Sequence, residues 1–221
     1  MRILTLAPAL FASLFLAGAA HAADPGPYVG LSVGSVSTTS NTSSFVPNGP
    51  KPSGMLFEVT AGDQFTFGHT ELGVNINAGV TNTHSKHSNV TCTVANCGYD
   101  ELQTLQGNHH LQGGVGATIA DNITDHFQVG VEGGVEVTDF TQSVNYTSST
   151  AGYVPFMYQQ TSFEAGLYGG VFAKYKLTRH TSLLLDLRQT NFTSVRYKST
   201  YGDSIDKEMT RTISVGFTHR F

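Results

Sequence analysis

Apolar and polar residues alternate with a period of two in eight separate segments, the pattern of strands with one greasy face and one polar face. Val29, Leu31 and Val33 alternate with Gly30, Ser32 and Gly34, and Met55, Phe57, Val59 and Ala61 with Leu56, Glu58, Thr60 and Gly62. The third segment is the cleanest, with Leu72, Val74, Ile76, Ala78 and Val80 set against Glu71, Gly73, Asn75, Asn77 and Gly79. Segments 111–119, 127–137, 163–175 and 182–188 continue the series, with Leu184 out of pattern. Ile213, Val215, Phe217, His219 and Phe221 share one face of the last.

The connections alternate in length. Segments 37–53, 81–108, 138–160 and 191–207 are polar, lack periodicity and read as long loops, whereas 62–69, 121–125 and 178–180 are short turns by composition. An even strand count, strands of about ten residues and short turns confined to one end predict an all-β, eight-stranded antiparallel up-and-down transmembrane β-barrel. A soluble eight-stranded barrel would turn its apolar face inward. The opposite face here is rich in Gly, Glu, Asn, Gln and Thr and poor in Lys, which suits a narrow lumen better than a wall in water. Glycine weakens a strand unless close approach calls for it.

The amino end fixes the compartment. Met1-Arg2, an apolar run from Ile3 to Gly18 and Ala20-His21-Ala22 form the three parts of a secretory signal peptide. The domain plan is therefore residues 1–22 as signal peptide and 23–221 as barrel, with four long loops outside and three short turns inside. Removing 1–22 takes away Arg2 and moves the formal charge from -4 to -5. That mild acidity argues against nucleic acid as a partner. Cys92 and Cys97, in a polar segment of an exported chain, favour a small disulfide loop over a metal pair.

The final stretch Arg-Thr-Ile-Ser-Val-Gly-Phe-Thr-His-Arg-Phe resembles the terminal strand of bacterial outer-membrane β-barrels, and Gly-Pro-Tyr-Val-Gly-Leu-Ser-Val-Gly, from Gly26, resembles the first strand of the eight-stranded opacity-type surface antigens. With the strand pattern between them, the chain resembles the opacity-type or OmpA-like barrels over its whole mature length. That resemblance implies a bacterial outer-membrane location, both termini periplasmic, and Phe221 as part of the signal read by the barrel-assembly machinery. It also implies contact with outer-membrane lipid and lipopolysaccharide, and with host surface molecules through the loops. No peptidoglycan-binding domain is expected after the last strand, a departure from the full OmpA plan. The function expected is a non-enzymatic surface protein for envelope integrity and adhesion. A narrow ion or solute channel, or a haem or metal binder through the second loop, are the alternatives.

Candidate chemistry falls in three places. The polar face places Glu58, Glu71, Glu132, Glu136, Glu164, Lys174, Asp186, Arg188 and Arg220 in the barrel interior, where buried charges need partners and an ion network is expected. Carboxylates outnumber cations six to three in that set, so a conduit would favour cations or some of these groups must be protonated. The second loop carries His84, His87, His109 and His110, imidazoles able to ligate a metal, and some relatives of the opacity-type barrels bind haem. Tyr28, Phe57, Phe127, Phe140, Phe163, Tyr175, Phe217 and Phe221 suit the two interfacial aromatic girdles. Neither the His-x-Ser-Asn pattern of lipid A deacylases nor the Asp/His cluster of barrel proteases is found, so no catalytic residue and no cofactor is expected.

Overall fold

The computed structural model describes residues 26–41, 52–90, 101–148, 156–199 and 202–221. They form strands β1 (Gly26–Asn41), β2 (Ser53–Phe67), β3 (Thr70–Val90), β4 (Glu101–Asn122), β5 (Phe127–Ser148), β6 (Phe156–Lys176), β7 (Thr181–Ser199) and β8 (Gly202–Arg220). Every strand pairs antiparallel with its sequence neighbours, and β1 returns to β8 from Tyr28↔Arg220 to Asn41↔Lys207. The expected eight-stranded up-and-down barrel is the observed one. Closure leaves no sheet edge at that level, which lipid requires. The signal peptide, Cys92 and Cys97 lie outside the described residues.

The barrel is greasy outside and polar inside. Leu31, Leu167 and Phe217 are 66%, 70% and 56% exposed on the outer wall, while Glu58, Glu136, Arg188 and Thr212 are buried in the lumen. A soluble ligand-binding barrel would reverse this arrangement. Leu184, out of pattern in the sequence, is half-buried with the inward set of β7 and pairs with Gly216 of β8.

Side-chain caps and one glycine close the short turns. Thr124 Oγ1 accepts from the N–H groups of His126 and Phe127 at 3.3 and 3.0 Å, and Thr178 Oγ1 does the same for His180 and Thr181 at 3.2 and 3.0 Å. The β2–β3 turn is shorter than the 62–69 connection expected. It is only Gly68 and His69, with Gly68 at φ 65°, a left-handed conformation that glycine adopts without steric cost.

At the opposite end the strands run much further than the apolar alternation. Most of 81–108, 138–160 and 191–207, expected as loop, is paired strand. The β3–β4 pairing reaches Val90↔Gln103, β5–β6 reaches Tyr146↔Phe156, and β7–β8 reaches Ser199↔Gly202. Backbone pairing needs no apolar face, so it continues into polar sequence where the alternation of apolar residues has stopped. The pairing is uneven: β6 meets β7 only from Gly166↔Phe192 to Lys176↔Ser182. Among the described residues, a four-stranded β3–β6 sheet and a β7–β8–β1 sheet therefore stand side by side above a seam at β6/β7.

Candidate functional site

The lumen is the one place among the described residues where charge is concentrated, and its side chains form three tiers. Nearest the short turns, Arg220 Nη2 donates to Gln64 Oε1 at 2.7 Å and to Glu71 Oε2 at 2.9 Å. Lys174 Nζ lies 3.9 Å from Glu71 Oε1 and rests over the rings of Tyr28 and Phe172, 5.5 and 5.1 Å from their centroids.

The middle tier is centred on Arg188 of β7. Its Nη2 donates to both oxygens of Glu58 at 2.8 and 3.0 Å. Asp186, Glu136 and Glu132 stand 3.6, 3.6 and 3.7 Å from the guanidinium nitrogens. Gln112 Nε2 adds a bond to Glu58 Oε2 at 3.2 Å, and the guanidinium carbon lies 5.3 Å from the Tyr168 ring centre. One cation thus answers to four carboxylates. A fixed guanidinium fork suits this duty better than a lysine point charge.

Glycine makes room for the aromatic part of this tier. A Cβ on Gly116 would collide with Tyr168 Oη, and one on Gly134 would collide with the Val115 carbonyl and lie 2.8 Å from Tyr168 Cε1. The inner-face glycines of β4 and β5 therefore serve as the floor for the Tyr168 ring.

The tier nearest the long connections sets aromatic rings among buried Thr38, Thr83, Thr210 and Glu208, the last paired in register with Phe192. Phe140 and Phe192 meet edge to face with centroids 5.0 Å apart, and His109 meets Phe140 in the same way at 4.4 Å. Leu56 and Val36 are buried at this end of the lumen as well. A bulge brings His109 inside: Asn108 pairs with Thr141 and Gln112 with Thr138, so β4 carries one extra residue. Asp139 fills the bulge, its Oδ1 accepting from the N–H of His110 at 2.7 Å and of Leu111 at 2.8 Å.

The interior set named from the sequence is placed accordingly. Glu58, Glu71, Glu132, Glu136, Lys174, Asp186, Arg188 and Arg220 all enter ion pairs. Among the described residues Glu164 makes none. It sits half-buried opposite Thr138, past the last β6–β7 pair. The histidines are not gathered: His109 is buried, with Nδ1 3.1 Å from the Asp139 carbonyl oxygen and Nε2 3.4 Å from Thr38 Oγ1. His110 is exposed, and His84 is exposed with Nδ1 2.9 Å from Asn108 Oδ1. The His87 side chain lies outside the described residues. Among the described residues no group of three His, Cys, Asp or Glu could hold a metal.

Two girdle assignments need correction. Tyr28 and Phe140 are buried in the lumen, because both fall on the polar parity of their strands. Phe57, Phe127, Phe163, Tyr175, Phe217 and Phe221 do face outward. Sequence reasoning missed Phe192, Gln64, Gln112 and Tyr168. Inward parity is a signal for all four, since Phe192 continues the even positions of Asp186, Arg188 and Thr190, though it lies past the apolar alternation of β7.

A family model described as "Outer membrane protein beta-barrel domain" matches residues 7–221. No curated protein matches the chain. Among solved structures, similarity is found to Neisserial surface protein A (16% identity, 90% of this chain and 100% of that one, TM-score 0.42). A major outer membrane protein from Thermus thermophilus gives 16% identity over 87% and 99% of the two chains, with TM-score 0.44. The N-terminal beta-barrel domain of Pseudomonas aeruginosa OprF gives 12% identity over 87% and 97%, with TM-score 0.37.

Proposed function

The chain belongs to the outer-membrane β-barrel family, and on that premise we propose that it is a non-enzymatic surface protein whose work is done beyond the lipid, by the strand extensions and the loops they carry. The observation behind this reading is strand length. β3 to β6 have 21 or 22 residues each, whereas about ten residues tilted by ~45° cross the hydrocarbon. At ~3.4 Å per residue the surplus raises a paired sheet roughly 25 Å past the lipid-facing band. Loops on a rigid scaffold are where such proteins place their contacts.

The lumen supports the same assignment. Phe140, Phe192, Leu56 and His109 occupy it above the Arg188 network, leaving the outer surface as the place for a partner to bind. In this reading the short turns and both termini face the periplasm and the long extensions face outward. The lipid-facing wall meets outer-membrane lipid and lipopolysaccharide, the assembly machinery reads the last strand with Phe221, and host surface molecules meet the extensions.

The test is to replace residues 141–160 by a two-residue turn. Binding of intact cells to host cells and their sensitivity to detergent are then measured, with a heat-modifiable gel shift as the check on the barrel. Loss of adhesion with an intact barrel is the expected outcome. Unchanged adhesion and unchanged detergent resistance would sink the reading. Surface proteolysis of intact cells, cutting the extensions and sparing the turns at 68–69, 123–126 and 177–180, tests the orientation.

A further inference from the structure

The acids of the two polar tiers outnumber the cations that face them. Glu58 of β2, Glu71 of β3, Glu132 and Glu136 of β5 and Asp186 of β7 are set against Lys174 of β6, Arg188 of β7 and Arg220 of β8. Full ionisation would leave two negative charges over, and a buried charge without a partner is costly. Three of the five acids are answered by other side chains. Glu58 accepts from Arg188 Nη2 and Gln112 Nε2, and Glu71 accepts from Arg220 Nη2. The hydroxyls of Thr138 and Thr190 hydrogen-bond to Glu136. Glu132 and Asp186 remain.

These two stand on β5 and β7 with β6 between them, and Gly170 of β6 is in register with Glu132 on one side and Arg188 on the other. The glycine makes the crossing possible, since a Cβ there would lie 3.0 Å from Glu132 Oε1 and 3.2 Å from Glu132 Cγ. Lying over that backbone, the Glu132 side chain is hydrogen-bonded to Asp186. It does not close on the adjacent cation: Glu132 Oε1 and Arg188 Nε are 3.7 Å apart, and neither has a hydrogen-bond partner. An ionised carboxylate beside a free guanidinium N–H would be drawn into a charge-assisted bond. Two carboxylates cannot hydrogen-bond to each other, because each can only accept. One of the pair therefore holds a proton, and Asp186, which also accepts from the Leu187 N–H, is the acceptor.

We propose that Glu132 and Asp186 form an acid-carboxylate pair at neutral pH, Glu132 holding the proton and donating it to Asp186, as a pH-sensitive clasp that ties β5 to β7 across β6. The proton removes one of the two surplus charges, and the Thr138 and Thr190 hydroxyls answer the other at Glu136. The remaining strands bring no rival charge to the pair: β1 and β6 turn the phenols of Tyr28 and Tyr168 toward it, and β4 the hydroxyl of Thr118. Like charges that share a site disfavour joint ionisation, so loss of the proton sets the two carboxylates against each other and opens the clasp. The folded barrel thus binds a proton that the unfolded chain, whose carboxyls are ionised at neutral pH, has released. By linkage, stability falls as pH rises above neutrality.

The test uses the full mature protein extracted in detergent. Infrared spectra at neutral pH should show a carboxylic-acid carbonyl band that moves when the glutamates carry heavy carbon. Glu132→Gln should remove it, and Glu164→Gln, outside the network, should leave it in place. Urea unfolding in unbuffered solution at neutral pH should release about one proton more from the unaltered protein than from Glu132→Gln, whose amide donates to Asp186 without titrating. For the same reason the thermal midpoint of the unaltered protein should drop by several degrees between neutral and alkaline pH, and that of Glu132→Gln should drop less. Absence of the band, its persistence in Glu132→Gln, or equal proton release from the two proteins overturns the inference. Should Glu132→Gln fail to fold, the unaltered protein decides: a glutamic-acid band lost together with the midpoint as pH rises supports the pair, and its absence at neutral pH overturns it.

Discussion

Arg188 and Glu58, 130 positions apart, face each other across the lumen through two hydrogen bonds from a single guanidinium nitrogen, at 2.8 and 3.0 Å. Three more carboxylates within 3.7 Å lean on the same cation. Removing it would leave four buried carboxylates to repel one another. Taking away one partner of a buried pair typically costs about 3–5 kcal/mol, so Arg188→Leu is expected to lose at least that much. Glu58→Gln keeps the shape and removes one of the competing charges, and should cost markedly less. Urea unfolding in detergent, followed by the gel-mobility shift, measures both; equal losses would show that Arg188 acts by packing alone.

The Tyr168 ring lies on Gly134 and Gly116, and a Cβ on Gly134 meets the ring and the Val115 carbonyl. Gly134→Ala therefore overpacks the lumen, at about 1–3 kcal/mol. Adding Tyr168→Leu withdraws one of three obstacles, the others being the Val115 carbonyl and Gly116 Cα, and should recover part of the loss, a coupling of about 0.5–3 kcal/mol. Strict additivity of the two substitutions in urea unfolding would mean that the neighbouring backbone of β4 alone sets the cost.

Period two makes the architecture legible in the sequence. A strand residue's parity decides whether it faces lipid or lumen, so Leu31, Leu167 and Phe217 on one side, and Glu58, Glu136 and Arg188 on the other, sort without coordinates. Parity does not report depth along the barrel. Glu164 has the inward parity but stands beyond the last β6–β7 pair, out of reach of the network. Parity also fails at a bulge, which is how His109 comes to sit against Phe140 instead of with His84. Where the outward positions turn polar, as at Asn82 and Asn191, the signal vanishes, so the upper halves of β3 to β6 read as loop and Phe192 of β7 stands just past the last apolar alternation.

Asp139 holds that bulge. Its Oδ1 takes the N–H groups of His110 and Leu111, and the residue is buried. Asp139→Ala strands two backbone donors beside the barrel rim, for which about 1–3 kcal/mol is the expected loss. Asp139→Asn retains an acceptor oxygen and should cost less. Hydrogen exchange at the His110 and Leu111 amides is the specific readout. Protection should fall there in the alanine variant while the Val115 and Ala117 amides stay protected; unchanged exchange at the bulge would remove Asp139 from this role.

Phe192 is 1% exposed and packs edge to face on Phe140, which itself carries the His109 ring. These side chains, with Leu56, stand between the polar tiers and the loop end of the lumen. A constriction of packed rings opposes ion passage by stripping water, although Glu208 is buried at the Phe192 level. The unaltered protein in a planar bilayer should be silent or nearly so, despite its carboxylate-rich interior. Phe192→Ala removes a large buried ring, a change costing about 3–5 kcal/mol in a packed core, and should open discrete conductance events that favour cations over anions, since carboxylates exceed cations in the tiers beneath. Phe192→Leu, which keeps an apolar side chain at this level, should stay closed. Conductance in the unaltered protein equal to that of Phe192→Ala would show that the aromatic tier is no barrier and would make the lumen once more a place where function resides.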